Sequence, residues 1–322
     1  MIHRTIAAAA CAALGLATAL PAAAACSLKT NPIPVTIQGL RPMVTAKING
    51  KEGHFVLDSG SVLNAINGRF AATLKLKPAT VSETGTHLNV DAHTDIQGVV
   101  GVDTLNGLVK APSFDFVGFS YRDVPFMATS RIEADADGLL GQAFLHRVDV
   151  EYDFRGGMVR LAKAEGCEGV NMAYWAKEGQ AYSEVPLEWI DRDNPHTEAA
   201  VYINGVKLRA IFDTGSGASF ITENGAARAG VKVTDPGVRP IGEGHGLDAS
   251  FKSWAGTFAS VKIGDEEIQN APMVIGQSGQ AWFDVLLGTD FFLSHHVYVA
   301  NSQGKIYFTY ERGAPFYSPS RQ

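Results

Sequence analysis

The 322-residue sequence is poor in cysteine, with only three, and low in charge, with 19% charged residues. Lysine and arginine number 27 against 33 acidic residues, and no basic run or stripe occurs, which argues against nucleic acid as a partner. Beyond residue 25 no apolar run reaches membrane length, so we expect no membrane span. Hydrophobic residues make up 46% of the chain, which excludes a disordered protein. The length of 322 residues predicts about two domains.

Signatures of several enzyme classes are missing as well. There is no Gly-x-Ser-x-Gly sequence, and the glycine-rich stretches lack the strand-to-helix context of a nucleotide site. The histidines and aspartates of residues 87–95 fit no metal-ligand spacing. Residues 133–138 begin like an EF-hand loop, but Phe144 stands where the loop needs its bidentate glutamate. We therefore expect neither a metal ion nor a cofactor.

The N-terminus has the pattern of a secretory signal peptide. A short basic start precedes an apolar stretch at residues 6–20, and Ala23 and Ala25 supply the small residues before a cleavage site. A transmembrane anchor is the alternative, but the stretch is short and alanine-rich for a span. We predict that residues 1–25 are removed and that the protein is exported, which in a Gram-negative cell means the periplasm.

Two cysteines remain after such a cleavage, because Cys11 leaves with the signal peptide. In an oxidising compartment Cys26 and Cys167 most simply form one disulfide. The rival interpretation is that Cys26 is a lipid-modified first residue. The small residue before it fits that interpretation, but Ala23 stands where lipoprotein signals usually carry leucine.

The sequence repeats itself at a constant offset. Residues 46–66 align without a gap with residues 201–221, 155 positions later, and seven of the 21 positions are identical. A second pair follows at residues 137–145 and 284–292, where both segments contain Leu-Leu-Gly. The chain therefore consists of two similar halves.

Each half has the pattern of β-structure. Hairpin-forming Asn-Gly dipeptides stand at residues 49–50 and 204–205, between strand-like runs. Helix signals are few, and residues 162–183 lose the alternation of strands. The sequence predicts an all-β protein with this organisation: signal peptide 1–25, N-terminal lobe 26–165, connection 166–179 and C-terminal lobe 180–322.

An apolar strand ends in an aspartate turn in each half. The turns are Asp58-Ser59-Gly60-Ser61 and Asp213-Thr214-Gly215-Ser216. One such turn is ordinary turn chemistry, but two at matching positions of similar halves would be brought face to face by a pseudo-twofold arrangement. Two carboxyl groups in direct contact cannot both ionise, so they must share a proton. One then serves as general base for a water molecule, and the other protonates the carbonyl oxygen under attack.

These turns, together with Leu-Leu-Gly at 139–141 and 286–288, resemble those of the aspartic proteases, most closely the retropepsin-like proteases of bacteria with both halves in one chain. The resemblance implies two pseudo-twofold-related retropepsin-like β-barrel lobes with a cleft between them. It also implies an aspartic endopeptidase with a peptide or protein as its substrate and with Asp58 and Asp213 as its catalytic residues. With the signal-peptide pattern, we expect this enzyme to be exported and monomeric.

The same resemblance assigns supporting roles. Ser59 and Thr214 are implied to brace the two turns, and Ser61 and Ser216 to bond the outer carboxylate oxygens. Glycine in the turns, Gly60 and Gly215, allows backbone amides to approach the carboxylates. Glycine-rich hairpin flaps are implied to close over the substrate, and the candidate flap glycines are Gly98, Gly101, Gly242, Gly244 and Gly246.

The first half departs from the family pattern. Asp290 stands two residues after the Leu-Leu-Gly glycine, as the family often has it, whereas Ala143 occupies that place in the first half. No residue matches the flap tyrosine of pepsin-type enzymes. The alternative function is a catalytically silent peptide-binding or scaffolding protein of the same fold, because fold does not fix function. The two intact aspartates favour the enzyme.

Overall fold

The structure, a computed structural model, describes residues 26–79, 95–97, 102–104, 107–130, 132, 135–188, 195–245, 250–278 and 282–316. The predicted signal peptide lies outside the described residues. The fold is all-β, as predicted, and its few helices are single turns or little more. No helix in the described ranges is long and apolar enough to cross a membrane.

The barrel strands and the helices follow one another in the same order in the two halves. In the first half the strands are β1 (Ser27–Pro34), β2 (Thr36–Gln38), β3 (Arg41–Ile48), β4 (Lys51–Leu57), β5 (Ala65–Asn67), β6 (Lys77–Ala79), β7 (Asp95–Gln97), β8 (Val102–Thr104), β9 (Leu108–Phe116), β10 (Phe119–Thr129), β11 (Gly138–Leu140), β12 (Asp149–Asp153) and β13 (Met158–Glu165). In the second half they are β14 (Ser183–Pro186), β15 (Glu198–Ile203), β16 (Val206–Phe212), β17 (Phe220–Thr222), β18 (Arg239–His245), β19 (Ser250–Ile263), β20 (Glu266–Gly276), β21 (Val285–Leu287), β22 (His295–Ala300) and β23 (Lys305–Tyr310). The helices are α1 (Gly68–Thr73), α2 (Gln142–Leu145), α3 (Glu223–Arg228) and α4 (Thr289–Ser294).

Each half closes into a six-stranded barrel. The first barrel has the strand order β3-β4-β11-β5-β10-β9 and closes through β3 and β9. The second has the matching order β15-β16-β21-β17-β20-β19 and closes through β15 and β19. The predicted pair of retropepsin-like barrels is confirmed, and the two barrels have matching strand orders.

The hairpin dipeptides form the turns that the sequence predicts. Asn49 and Gly50 have φ of 51° and 77° between β3 and β4, and Asn204 and Gly205 have φ of 50° and 78° between β15 and β16. Positive φ at both central residues matches the twist of the strands, and asparagine and glycine tolerate it best. These turns fix the register of the strands that lead into the aspartate turns.

The two leucines of each Leu-Leu-Gly segment lie in a barrel strand, β11 in the first barrel and β21 in the second. β11 runs parallel to β4 and pairs Leu140 with Leu57, and β21 runs parallel to β16 and pairs Leu287 with Phe212. β11 therefore lies beside the end of β4, where the turn of Asp58 begins, and β21 lies beside the end of β16, where the turn of Asp213 begins.

A six-stranded antiparallel sheet joins the halves, in the order β1-β13-β12-β22-β23-β14. One face packs on the core, where Tyr152 of β12 meets Phe292 edge to face with ring centroids 5.1 Å apart. The other face is covered by the segment between β13 and β14, whose Met172 and Trp175 pack with Tyr298. A single apolar core cluster runs through both barrels and this sheet.

The predicted disulfide between Cys26 and Cys167 is confirmed. It stands at the end of the β1–β13 ladder, which pairs all eight residues of β1 from Ser27↔Glu165 onward. The bond encloses a loop with a sequence separation of 141 residues. It also occupies the Cys26 sulfur, the atom that a lipid anchor would need.

Removal of this disulfide is expected to lower the stability of the protein. We expect Cys26→Ser combined with Cys167→Ser to cost about 2–5 kcal/mol, because the cross-link restricts a long loop of the unfolded chain. Thermal melts of the variant should show a transition roughly 2–4 °C lower for each kcal/mol lost. Wild-type protein treated with reductant serves as the control and should have the same melting temperature as the variant. Equal melting temperatures of oxidised and reduced wild-type protein contradict the prediction.

Candidate active site

The two aspartate turns meet between the lobes. Asp58 follows β4 and Asp213 follows β16, and their side chains hydrogen-bond to one another. A Cβ atom added at Gly60 would overlap the carboxyl group of Asp213, and one added at Gly215 would overlap that of Asp58. Each turn glycine therefore packs directly against the carboxyl group of the opposite lobe.

Backbone amides hold each carboxylate within its own turn. The amides of Gly60 and Ser61 donate to Oδ1 of Asp58, both at 3.0 Å. In the second turn the amides of Gly215 and Ser216 donate to Oδ1 of Asp213 at 2.8 and 3.2 Å. These bonds fix the orientation of the carboxyl groups and favour their ionised forms.

The hydroxyl groups of Ser59 and Thr214 cross between the lobes. Ser59 Oγ donates to the carbonyl of Phe212 at 2.7 Å and accepts the amide of Thr214 at 3.0 Å. Thr214 Oγ1 donates to the carbonyl of Leu57 at 2.6 Å and accepts the amide of Ser59 at 3.0 Å. Four buried hydrogen bonds thus tie each turn to the last carbonyl of the opposite strand and lock the turns together.

The hydroxyl groups of Ser61 and Ser216 have different partners from those that the resemblance implies. Ser61 Oγ donates to the carbonyl of Leu63 at 2.9 Å, and Ser216 Oγ donates to the carbonyl of Ala218 at 3.1 Å. A hydroxyl has one proton to donate, so it is the backbone amides of these serines that bond the carboxylates. The hydroxyls close the bend that follows each turn.

The Leu-Leu-Gly segments support the turns from behind. The carbonyl of Leu140 accepts the amide of Asp58 at 3.0 Å, and that of Leu287 accepts the amide of Asp213 at 2.8 Å. The residue after each glycine adds a side-chain bond: Gln142 Nε2 to the carbonyl of Ser59, and Thr289 Oγ1 to the carbonyl of Thr214, both at 2.8 Å.

A compensating residue explains the alanine at position 143. In the second lobe, Asp290 accepts the amide and the hydroxyl of Ser219, and Ser219 Oγ in turn accepts the amide of Gly288 at 2.9 Å. In the first lobe, Asn64 Oδ1 accepts the corresponding amide, that of Gly141, directly at 3.0 Å. Asn64 replaces both polar residues of the second lobe, so no carboxylate is needed at position 143.

The environment raises the pKa of both turn aspartates. For Asp58 burial is the largest cause, and the charge of Asp213 and their mutual hydrogen bond raise its pKa further, well above the ordinary range. Burial also raises the pKa of Asp213, but the amides of Gly215, Ser216 and Gly60 and the bond from Asp58 lower it in part. Both carboxyl groups therefore resist ionisation more than an ordinary aspartate does, and the pair is expected to ionise in two coupled steps with one proton held between them.

The hairpin of β18 and β19 contains two of the candidate flap glycines. Gly242 has φ of 105° at a register shift in the ladder, which favours glycine there. Gly244 pairs with Phe251, and a Cβ atom at Gly244 would overlap the ring of Phe251. Gly98, Gly101 and Gly246 lie outside the described residues. The flap function of these glycines stays a prediction.

Within the described residues no group of three or more His, Cys, Asp or Glu side chains is placed to hold a metal ion. Two open surface cavities, of about 440 and 370 Å³, are lined by residues outside the aspartate turns. The larger one lies beside Glu151, on the face of the six-stranded sheet that the connection covers.

Sequence reasoning missed several residues of the site: Asn64, Gln142, Thr197, Ser219 and Thr289. The internal repeat contains the signal that finds four of them. Asn64 and Ser219 are equivalent at the 155-residue offset, and Gln142 and Thr289 are equivalent after the Leu-Leu-Gly segments. Thr197 shows no such signal, because its equivalent is Pro42.

Comparison with known families agrees with the geometry. A family model described as aspartyl protease matches residues 44–144 and 199–291, which together are more than half of the chain. Each matched segment contains one aspartate turn and one Leu-Leu-Gly segment. No curated protein matches the chain.

Proposed function

Because the chain belongs to the aspartyl protease family, we propose that it is an exported endopeptidase that hydrolyses peptide bonds with a water molecule activated between Asp58 and Asp213. The observation that carries this proposal is the contact between the two carboxyl groups, each of which also packs against the turn glycine of the other lobe. A pair so close and held by amides shares one proton, which is the state that acid–base catalysis requires.

The two aspartates take different roles. In this proposal Asp213 is the ionised partner and accepts a proton from the water molecule, which attacks the carbonyl carbon of the scissile bond. Asp58 gives its proton to the carbonyl oxygen, so a neutral tetrahedral diol forms without a covalent bond to the protein. Collapse of the diol returns one proton to Asp58 and passes the proton on Asp213 to the leaving nitrogen, which restores the starting state.

Export and a monomeric enzyme belong to the same proposal. The disulfide between Cys26 and Cys167 supports an oxidising compartment, in agreement with the signal pattern of residues 1–25. Both aspartates come from a single chain, so one molecule supplies the complete pair. The periplasm of a Gram-negative cell meets these conditions.

Activity is expected to follow a bell-shaped pH profile. It falls on the acid side when both carboxyl groups are protonated and on the alkaline side when both are ionised. Because burial raises the pKa of both groups, the profile should extend to higher pH than two ordinary aspartates allow. A peptide that the protein cleaves is first identified in a random library. The measurement is then kcat/KM for that peptide across the acid and neutral pH range.

Cleavage products identified by mass spectrometry decide between the enzyme and the silent binding protein. Cleavage that a peptide-like aspartic-protease inhibitor suppresses supports the enzyme. Peptide binding without any cleavage, over the whole pH range and by folded protein, overturns the proposal and leaves the binding function.

A further inference from the structure

Gln142 lies directly behind the turn of Asp58 and is 2% exposed. Its Nε2 donates to the carbonyl of Ser59 at 2.8 Å and to Thr197 Oγ1 at 3.1 Å. The first acceptor belongs to the N-terminal lobe and the second to the C-terminal lobe. One buried side chain thus links the catalytic turn of one lobe to the other lobe.

The bond to Ser59 acts on a peptide group whose other end faces the carboxyl groups. The carbonyl of Ser59 and the amide of Gly60 belong to the same planar peptide unit. That amide donates to Oδ1 of Asp58 at 3.0 Å and also lowers the pKa of Asp213. A donor that holds the carbonyl end therefore fixes the direction of the N–H that both aspartates use.

The bond to Thr197 completes a ring of hydrogen bonds across the lobes. The carbonyl of Thr197 accepts the amide of Phe212 at 2.9 Å, and the carbonyl of Phe212 accepts Ser59 Oγ at 2.7 Å. Ser59 is in turn bonded to Gln142 through its own carbonyl. The ring ties the turn of Asp58 to the strand that ends at Asp213.

The opposite turn has only half of this arrangement. Thr289, the equivalent of Gln142, donates to the carbonyl of Thr214 at 2.8 Å, and its single hydroxyl proton can serve only one acceptor. The equivalent of Thr197 in the first lobe is Pro42, which has no hydroxyl. The link between the lobes through Gln142 is therefore specific to the turn of Asp58, and it makes the two aspartate turns unequal.

We propose that Gln142 is a positioning residue that aligns the Ser59–Gly60 peptide and so sets how the two aspartates share their proton. The inference rests on the proposed function, which supplies the reaction that the alignment serves. Without Gln142 the peptide loses its anchor and its N–H turns away from the carboxyl groups. An amide bond favours the ionised form, so its loss raises the pKa at which the pair first ionises.

The test compares Gln142→Met with Gln303→Met. Gln303 is the control, since its Nε2 also donates to two acceptors, the carbonyls of Cys167 and Val170, but from the turn between β22 and β23, away from the aspartate turns. We expect Gln142→Met to lower kcat roughly 10-fold or more with little change in KM, because a small misplacement of catalytic groups is costly. The acid limb of its pH profile should move to higher pH, whereas Gln303→Met should change neither quantity.

Gln142→Glu gives a second variant of nearly the same shape, should the methionine variant not fold. Its carboxyl group can donate to the Ser59 carbonyl only when protonated, so we expect its activity relative to wild type to rise as the pH falls. A Gln142 variant that folds and keeps the wild-type kcat and pH profile overturns the inference.

A titration that needs no turnover separates this inference from the proposed function. Carbon-13 NMR of the aspartate carboxyl groups follows the pair in wild type, Gln142→Met and Gln303→Met. Absence of cleavage by the wild type refutes only the proposed function. A first ionisation shifted to higher pH in Gln142→Met alone supports the positioning role, and identical titrations in all three proteins overturn it.

Discussion

Asp58→Asn and Asp213→Asn are each expected to reduce peptide cleavage by roughly 10³-fold or more, because either change removes one partner of the proton exchange. Asparagine keeps the shape of the side chain and can still accept the turn amides through its oxygen. The bracing by Ser59 and Thr214 does not involve the carboxyl groups, so both variants should fold. The two variants therefore lose the reaction and keep the site.

The stability of the same variants should respond to pH in a defined direction. In the unfolded chain an aspartate has a pKa of about 3.9, whereas in the fold the pKa of Asp58 is raised. Above that unfolded value the folded pair binds more protons than the unfolded chain, so wild-type stability falls as the pH rises toward the folded pKa. Asp58→Asn lacks this loss, so its melting temperature should exceed that of wild type near neutral pH and match it in strong acid.

Asp149→Asn provides a control of the same chemical change. Asp149 is 2% exposed and accepts the amide and hydroxyl of Ser302 and the hydroxyl of Tyr298, on the outer face of the six-stranded sheet. Its variant should lose stability and keep cleavage, the reverse of the pattern for the dyad variants. If a folded Asp213→Asn protein cleaves peptides at the wild-type rate, the mechanism is wrong.

The sequence was sufficient for the parts of the fold that local rules determine. The internal repeat predicts two equivalent lobes, and the Asn-Gly turns fix the register of the hairpins that end at Asp58 and Asp213. Leu-Leu-Gly entered the sequence analysis as part of the repeat and of the resemblance, and the parallel pairing of β11 with β4 shows that this segment lies beside the turn of Asp58. The repeated segments and the turns are short and contiguous, so their patterns can be recognised without knowledge of which distant residues they contact.

The parts that sequence reasoning missed depend on contacts between distant segments. Strand β12 alternates polar and apolar residues like a half-exposed strand, yet Asp149 and Glu151 are buried. The segment that covers them is irregular, and no periodicity predicts where such a segment packs. Gln142 shows the same limit, because its acceptors Ser59 and Thr197 lie 83 and 55 residues away and in different lobes.

Gly60→Ala and Gly215→Ala are expected to abolish most of the activity while leaving the barrels intact. Neither glycine has a positive φ, so the backbone accepts alanine there. The expected effect comes from the steric overlap of the new Cβ atom with its neighbours. The new methyl group would occupy the position of the opposite carboxyl group, that of Asp213 or Asp58. A carboxyl group can swing aside, but it then leaves the shared hydrogen bond on which the reaction depends.

The two variants should differ in stability because the displaced groups differ in freedom. Asp213 is 5% exposed, whereas Asp58 is only partly buried, so Gly60→Ala should lower the melting temperature more than Gly215→Ala. For Gly60→Ala we expect a cost of about 1–3 kcal/mol, as for other overpacked sites. Gly68→Ala is the control, since a Cβ atom there lies 3.7 Å from the nearest atom, the Thr129 carbonyl oxygen, in ordinary contact.

Cleavage assays and carbon-13 titration of the carboxyl groups check both effects together. We expect kcat/KM to fall roughly 10²-fold or more in Gly60→Ala and Gly215→Ala, on the scale of a misplaced acid–base group. Separation of the carboxyl groups removes their coupling, so the pair should titrate as two nearly independent acids and the pKa of Asp58 should fall toward its ordinary value. Gly68→Ala should keep both the activity and the coupled titration. Wild-type cleavage by a folded Gly215→Ala protein means that the contact between the carboxyl groups is not what drives the reaction.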